Sequence, residues 1–236
     1  MAEKTTIKLI ECPRDAMQGW KHFIPTEQKI AYINSLLKVG FDTLDMGSFV
    51  SPKAIPQMAD TGEVLNRLAQ PSSTQLLTII ANLRGAESAV AYPSVTYLGF
   101  PFSVSETFQQ RNTNSSVAES LKRVEGIQRL CVQSGKQLVV YLSMGFGNPY
   151  GDQYSETLVF DWVNKLTERG ITIISLADTV GVATPDQVYS MTSYLIKKLP
   201  EHEIGVHLHS TRVNWQQKLE AALAAGCYRF DGALKG

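Results

Sequence analysis

Thr26-Glu27-Gln28-Lys29-Ile30-Ala31-Tyr32-Ile33-Asn34-Ser35-Leu36-Leu37-Lys38-Val39-Gly40 is the stretch whose reading decides the fold. It follows Pro25, carries its apolar residues at helical spacing and stops at a glycine, the residue that most readily closes a helix. A short β-prone run begins at Thr43, three residues later. Helix, glycine and strand follow one another again over 116–134 before Gly135, 155–169 before Gly170, and 214–225 before Gly226. Eight β-rich runs punctuate the chain, at 7–11, 43–46, 75–80, 95–100, 138–143, 171–176, 204–209 and 229–234. Such alternation describes a parallel sheet built of βα units. Eight units in this length favour an α/β fold of the closed (β/α)8 type, a TIM barrel, with 1–236 as a single domain. An open doubly wound sheet competes, and a glycine fingerprint in its first turn would support it. The first run leads instead into Cys12-Pro13-Arg14-Asp15-Ala16-Met17-Gln18, without glycine. Gly145-Phe146-Gly147-Asn148-Pro149-Tyr150-Gly151, after the fifth run, reads as an ordered loop rather than a nucleotide cradle.

With 236 residues, 44% of them hydrophobic and 19% charged, the chain can bury a substantial core. Lys plus Arg and Asp plus Glu both number 22, so no net field attracts a polyanion, and no nucleic-acid partner is expected. The N-terminus lacks the apolar core of a secretory signal, and no apolar run is long enough to span a bilayer, so no membrane partner is expected either. Cys12, Cys131 and Cys227 are odd in number and unpatterned in spacing, which suits a reducing, cytoplasmic setting. Only Lys235-Gly236 follows the eighth run. A barrel without cover on its last strand would expose apolar surface, so the natural chain is expected to continue.

Val206-His207-Leu208-His209 closes the seventh run, and strand alternation turns both imidazoles to one face. In a barrel the reactive groups gather where strands end. Asp15 follows the first strand, which only the eighth separates from the seventh. Taken singly, the histidines suit a solvated strand end and Asp15 a helix cap or surface ion pair. Together they make a one-carboxylate, two-imidazole set with positions open to other ligands, which points to a metal. Octahedral coordination would suit Mg2+ or Mn2+, while the same side chains leave Zn2+ and Fe2+ open.

Pro13-Arg14-Asp15-Ala16-Met17-Gln18, Ser48-Phe49-Val50-Ser51-Pro52-Lys53, Pro56-Gln57-Met58-Ala59-Asp60, Asp178-Thr179-Val180-Gly181-Val182-Ala183-Thr184-Pro185 and Val206-His207-Leu208-His209 resemble successive motifs of the 3-hydroxy-3-methylglutaryl-CoA lyase family. Order and spacing agree from about residue 7 onward. The Arg-Asp and His-x-His elements are shared with the wider Claisen-condensing superfamily, whereas the Ser48–Lys53 stretch points to the lyase branch. The resemblance implies a divalent-metal barrel that breaks a C–C bond of an acyl-CoA substrate. It places a Mg2+ or Mn2+ cofactor on Asp15, His207 and His209, gives Arg14 and Asp15 the catalytic roles, and is compatible with a homodimer. Gln18, Lys21, Asp45, Ser48 and Asp178 would surround the substrate or the metal's outer shell, and Ser105, Glu106 and Asn112 match further family positions. The chemistry is coherent, because a retro-Claisen step needs a Lewis acid, a base for the tertiary hydroxyl and fixed positive charge where enolate develops. Arginine keeps its charge at any working pH.

Three positions depart from the family pattern. Cys12 alone separates Glu11 from the Pro-Arg-Asp motif where one more residue is usual, Asp45 stands for a glutamate, and Asn148 for a cysteine. Cys12 reads as a packed thiol, with no activating partner in sight. The family's catalytic cysteine and a metal-ligating asparagine lie beyond the eighth strand, and none of the three cysteines here matches that one. The acid/base residue is therefore expected beyond Gly236, and weak or no lyase activity from a protein ending there. A condensing synthase using acetyl-CoA and a 2-oxo acid, and a non-catalytic metal- or acyl-CoA-binding barrel, are the competing readings.

Overall fold

The computed structural model describes residues 6–69 and 72–234; the expectation attached to Lys235-Gly236 lies outside them. Eight strands close a parallel barrel in sequence order: β1 (Lys8–Glu11), β2 (Thr43–Ser48), β3 (Gln75–Ile79), β4 (Val95–Ser103), β5 (Gln137–Ser143), β6 (Ile173–Asp178), β7 (Glu203–Leu208) and β8 (Arg229–Gly232). Closure comes from β8, which pairs with β1 from Lys8↔Arg229 to Glu11↔Gly232 and with β7 from Gly205↔Arg229 to His207↔Asp231. Each expected run is a strand, and the open sheet is excluded. The (β/α)8 barrel stands.

Around the barrel lie α1 (Pro13–Gln18), α2 (Thr26–Leu36), α3 (Thr61–Asn66), α4 (Leu83–Val90), α5 (Glu106–Thr113), α6 (Val117–Gln133), α7 (Glu156–Thr167), α8 (Pro185–Lys198) and α9 (Trp215–Ala224). Local chemistry sets their ends. The Ser116 hydroxyl accepts from the Glu119 amide while the Glu119 carboxylate accepts from the Ser116 amide, a reciprocal cap on α6. Gly135, at φ 65°, then turns the chain toward β5 in a conformation that a side chain would strain. The Pro-Arg-Asp motif is a helical turn rather than a loop, because Pro13 sits in the first turn, where its missing N–H costs nothing.

β5 reads Leu138-Val139-Val140-Tyr141-Leu142, and all five are buried, as expected of a strand covered on both faces. Leu138, Val140 and Leu142 join the layer between strands and helices, with Val124, Ile127 and Val163 from α6 and α7. Val139 and Tyr141 point inward and join Leu77, Tyr97 and Ile173 in a second cluster that fills the lumen. That inner layer is the floor on which the site rests.

Candidate active site

α1 delivers two adjacent charges to the mouth in opposite directions. Arg14 turns down and donates from Nε and Nη2 to Asp45 at 3.0 and 2.5 Å. Its Nη1 donates to Asp15 Oδ1 and to Gln18 Oε1, both at 2.9 Å. Burial alone would weaken the guanidinium's hold on its proton, but Asp45 and Asp15 outweigh it and raise Arg14 above its ordinary value. Burial pushes the Asp45 carboxyl up while Arg14 works against that, and the fork geometry is that of an ion pair. The guanidinium is thereby locked in place.

Asp15 turns across to β7, with Oδ2 at 3.5 Å from His207 Nε2 and 3.9 Å from His209 Nε2. Three ligand atoms from Asp15, His207 and His209 lie within 4.8 Å of one another at the C-terminal ends of the strands. His207 lies deepest, Asp15 is 30% exposed and His209 48%, so the set opens outward. The hydrogen bond to His207 and the nearby Arg14 hold Asp15 well below the usual carboxylate range, against the opposing effect of burial. Burial and the neighbouring His207 lower His209, which leaves its imidazole neutral and able to ligate. Cys12, His207 and Asp231 make a second close trio on the lumen side. Burial pushes the Cys12 thiol up to about 12, and a protonated thiol is a poor ligand, so the outer trio is the one that fits a divalent cation.

The trio opens on a cleft of about 520 Å3, a size suited to a small-molecule ligand. Arg14, Asp15 and Gln18 line it with His207, His209 and Asn112, against walls that include Val50, Ile79 and Pro101. Other expected residues lie elsewhere. Asp178 is fully buried under the mouth, where it accepts from the Val182 and Ala183 amides and pairs with Lys218 at 2.7 Å. Ser48 is buried at the last position of β2, its hydroxyl accepting from the Val50 amide. Lys21 is exposed and outside the cleft lining, and Asp45 touches Arg14 rather than the opening. Ser105 caps α5 and donates to Asp152, while Glu106 accepts from the Val117 amide. Asn148 ties its own loop, accepting from the Tyr150 and Asp152 amides.

The profile of the HMGL-like family matches residues 7–236. The chain belongs to that family. It is 32% identical to the cytoplasmic 3-hydroxy-3-methylglutaryl-CoA lyase of Rattus norvegicus over 98% of this chain and 67% of the relative. It is also 32% identical to a hydroxymethylglutaryl-CoA lyase of Bacillus subtilis, over 99% of this chain and 78% of the relative. An HMG-CoA lyase from Acinetobacter baumannii, solved with coenzyme A and 3-methylmalate, superimposes with a TM-score of 0.92 at 34% identity, covering 100% of this chain and 77% of that one. Membership in the HMGL-like family makes the protein an enzyme of the carbon–carbon lyase kind, and the TIM barrel is the fold its relatives share.

Two residues of this HMGL-like site escape a motif search. Asp231, on β8, stands 3.2 Å from His207 Nδ1. Strand alternation from Arg229 and closure of β8 between β1 and β7 would have found it. Tyr141 lines the cleft and meets the His207 ring edge-on at a centroid distance of 5.8 Å. Its hydroxyl is buried without a hydrogen-bond partner among the described residues, and burial raises its pKa well above the ordinary value. Within an apolar run it carries no signal beyond core.

Proposed function

We propose that this chain is a divalent-metal-dependent lyase acting on a 3-hydroxyacyl-CoA, with 3-hydroxy-3-methylglutaryl-CoA or a close analogue as substrate. Cleavage is a retro-Claisen step, giving acetyl-CoA and acetoacetate in the parent reaction. The observation that carries this reading is the convergence of Asp15, His207 and His209 within 4.8 Å beside the fixed Arg14 guanidinium. The names of the relatives, and the coenzyme A and 3-methylmalate held by the Acinetobacter protein, support the substrate class. We read the barrel as a single domain and, from its buried free cysteines, place it in a reducing cytoplasm. No helix among the described residues is long and apolar enough to cross a membrane.

Asp15, His207 and His209 would hold Mg2+ or Mn2+, which when bound supplies Lewis-acid polarisation of the substrate's hydroxyl and carbonyl oxygens. Arg14 presents a charge that cannot swing away, since Asp45 grips two of its nitrogens. Negative charge developing on the thioester oxygen as the enolate departs is stabilised there without reorganisation. Gln18 turns its amide oxygen to Arg14, which leaves its N–H groups to bind a polar group of the substrate. Val50, Ile79 and Pro101 exclude water from one side. As the C–C bond breaks, the tertiary hydroxyl gives up its proton to a base. The family resemblance assigns that step to a cysteine following β8, and buried Cys12, Cys131 and Cys227 do not take its place.

The test is acetoacetate formation from 3-hydroxy-3-methylglutaryl-CoA by the purified protein before and after chelation. Activity lost to chelator and restored by Mg2+ or Mn2+ is expected. Cleavage undiminished in metal-free protein overturns the reading, and release of free CoA from acetyl-CoA plus a 2-oxo acid would reassign the enzyme to the condensing synthases.

A further inference from the structure

His207 has two ring nitrogens, and they face different parts of the barrel. Nε2 looks up at Asp15, while Nδ1 looks down into the lumen and meets Asp231 Oδ2 at 3.2 Å. The contact is built by the ladder, since His207 and Asp231 are register partners on β7 and β8. A carboxylate can only accept, so once Nε2 gives up its proton to a metal this contact would keep the remaining imidazole proton on Nδ1.

The Asp231 side chain has no solvent exposure, and its Oδ1 finds no hydrogen-bond partner among the described residues. A buried anion of that kind needs a positive charge nearby. Arg229, two residues earlier on the same inward face and also without exposure, is near enough to feel that charge although no hydrogen bond joins them, its Nε and Nη2 having no partner among the described residues. Its Nη1 donates to Glu203 at 2.8 Å, Glu203 accepts from Lys8 at 2.6 Å, and the guanidinium lies 5.6 Å from the Tyr97 ring centre. The stem passes where Gly205 has no side chain: a Cβ there would stand 2.9 Å from Arg229 Cδ. Charge therefore alternates from the barrel floor upward through Lys8, Glu203, Arg229 and Asp231 to His207.

We infer that Asp231 is the positioning residue that fixes His207 as a metal ligand through Nε2, and that Arg229 beneath it supplies the compensating charge. This rests on the metal reading above. Neither residue touches substrate, so both act through His207.

Mn2+ affinity, read from the free-ion EPR signal, tests it on the purified protein and on Asp231→Ala, Asp231→Asn and Arg229→Met. Loss of an outer partner of this kind weakens metal binding about 10- to 100-fold, which is the loss expected for Asp231→Ala. Asp231→Asn keeps an acceptor of the same shape, so it is expected to recover part of the affinity and to decide the matter if the alanine variant does not fold. Arg229→Met, acting one step further away, is expected to weaken binding several-fold. In the Mg2+-loaded protein the His207 1H–15N correlation is expected to show one proton, on Nδ1, and to lose that pattern in Asp231→Ala. Parent protein that binds no Mn2+ refutes the metal reading itself. A parent that binds, with Asp231 variants within twofold of it, refutes the positioning role, and Arg229→Met at parental affinity removes Arg229 from it.

Discussion

Lys218 on α9 is buried, and its ammonium donates to Asp178 at 2.7 Å, to the His209 carbonyl at 3.0 Å and to the Gly181 carbonyl at 3.4 Å. Lys218→Met keeps the apolar stem and removes the charge. Breaking one side of a buried ion pair costs about 3–5 kcal/mol, because the partner is left charged and desolvated. Asp178 retains the Val182 and Ala183 amides as donors, which puts the loss at the lower end, about 3 kcal/mol. For a chain of this length each kcal/mol moves the melting midpoint by about 2–4 °C, so a fall of roughly 6–12 °C is expected. The assay is thermal and urea unfolding of metal-free protein, since a ligand bound only to the native state would mask the difference. Adding Asp178→Asn removes the stranded charge but keeps an oxygen for the two amides, and is expected to return about half of the loss. A melting point within about 2 °C of the parent, or a double variant no better than the single one, would refute the argument.

Arg14→Ala is expected to bind Mn2+ more weakly, since Asp15 loses its guanidinium partner, and at saturating metal to lose about 10²–10³ in turnover, the usual effect of removing a group aimed at developing negative charge. Arg14→Lys is not expected to restore the rate, because a single ammonium cannot fork onto Asp45, and a near-parental rate for either variant removes Arg14 from the reaction. Burial disfavours the charged His207 ring, but hydrogen bonds to Asp15 and Asp231 outweigh it and hold the metal-free imidazole well above its ordinary pKa. A group raised in this way stabilises the metal-free fold fully below its unfolded value of about 6.5, and that stabilisation is lost as pH climbs through the folded value. Metal at Nε2 must displace the proton, so Mn2+ affinity is expected to tighten with pH by up to about tenfold per unit; affinity constant from about pH 6 to 8 would contradict it. Gly205→Ala is expected to cost about 1–3 kcal/mol in urea unfolding, because its methyl would collide with the Arg229 stem, and an unchanged midpoint would show that the stem moves freely.

The barrel was legible because its units repeat a local grammar in which each signal acts within a few residues. Ser116 and Glu119 cap a helix, Gly135 ends it, and β5 begins two residues later. Strand ends were less legible: β4 runs on to Ser103 because β5 offers it a pairing partner as far as Ser143, which no propensity reports. At the mouth, Asp15, His207 and His209 could be grouped because strand alternation and barrel closure are geometric rules. Asp178 shows where that reasoning stops. A carboxylate at a strand end looks the same in sequence whether it faces substrate or a buried lysine, and Lys218 lies 40 residues away on α9. Lys21, in the loop after α1, is exposed and stands outside the cleft lining, a placement that the sequence of a loop does not report.

His207 is where the two layers of the barrel meet, and this gives the lumen more to do than fill space. Small-to-large matching along the inner faces would be satisfied by apolar side chains, as it is at Leu77, Val139 and Ile173. On the β7–β8 side the lumen instead carries Glu203, Arg229 and Asp231, whose burial is costly unless their charges alternate. Gly205 gives up a side chain to admit one of them. That expense falls under the imidazole whose second nitrogen points inward, whereas His209, whose Nε2 also faces Asp15, is braced from behind through its carbonyl by Lys218 and by the Thr179 backbone beside its ring. The two histidines of one motif are therefore backed by different means, a carboxylate side chain for His207 and contacts that involve backbone for His209. Perturbing Asp231 should alter which nitrogen the first presents, while perturbing Lys218 should alter where the second one stands.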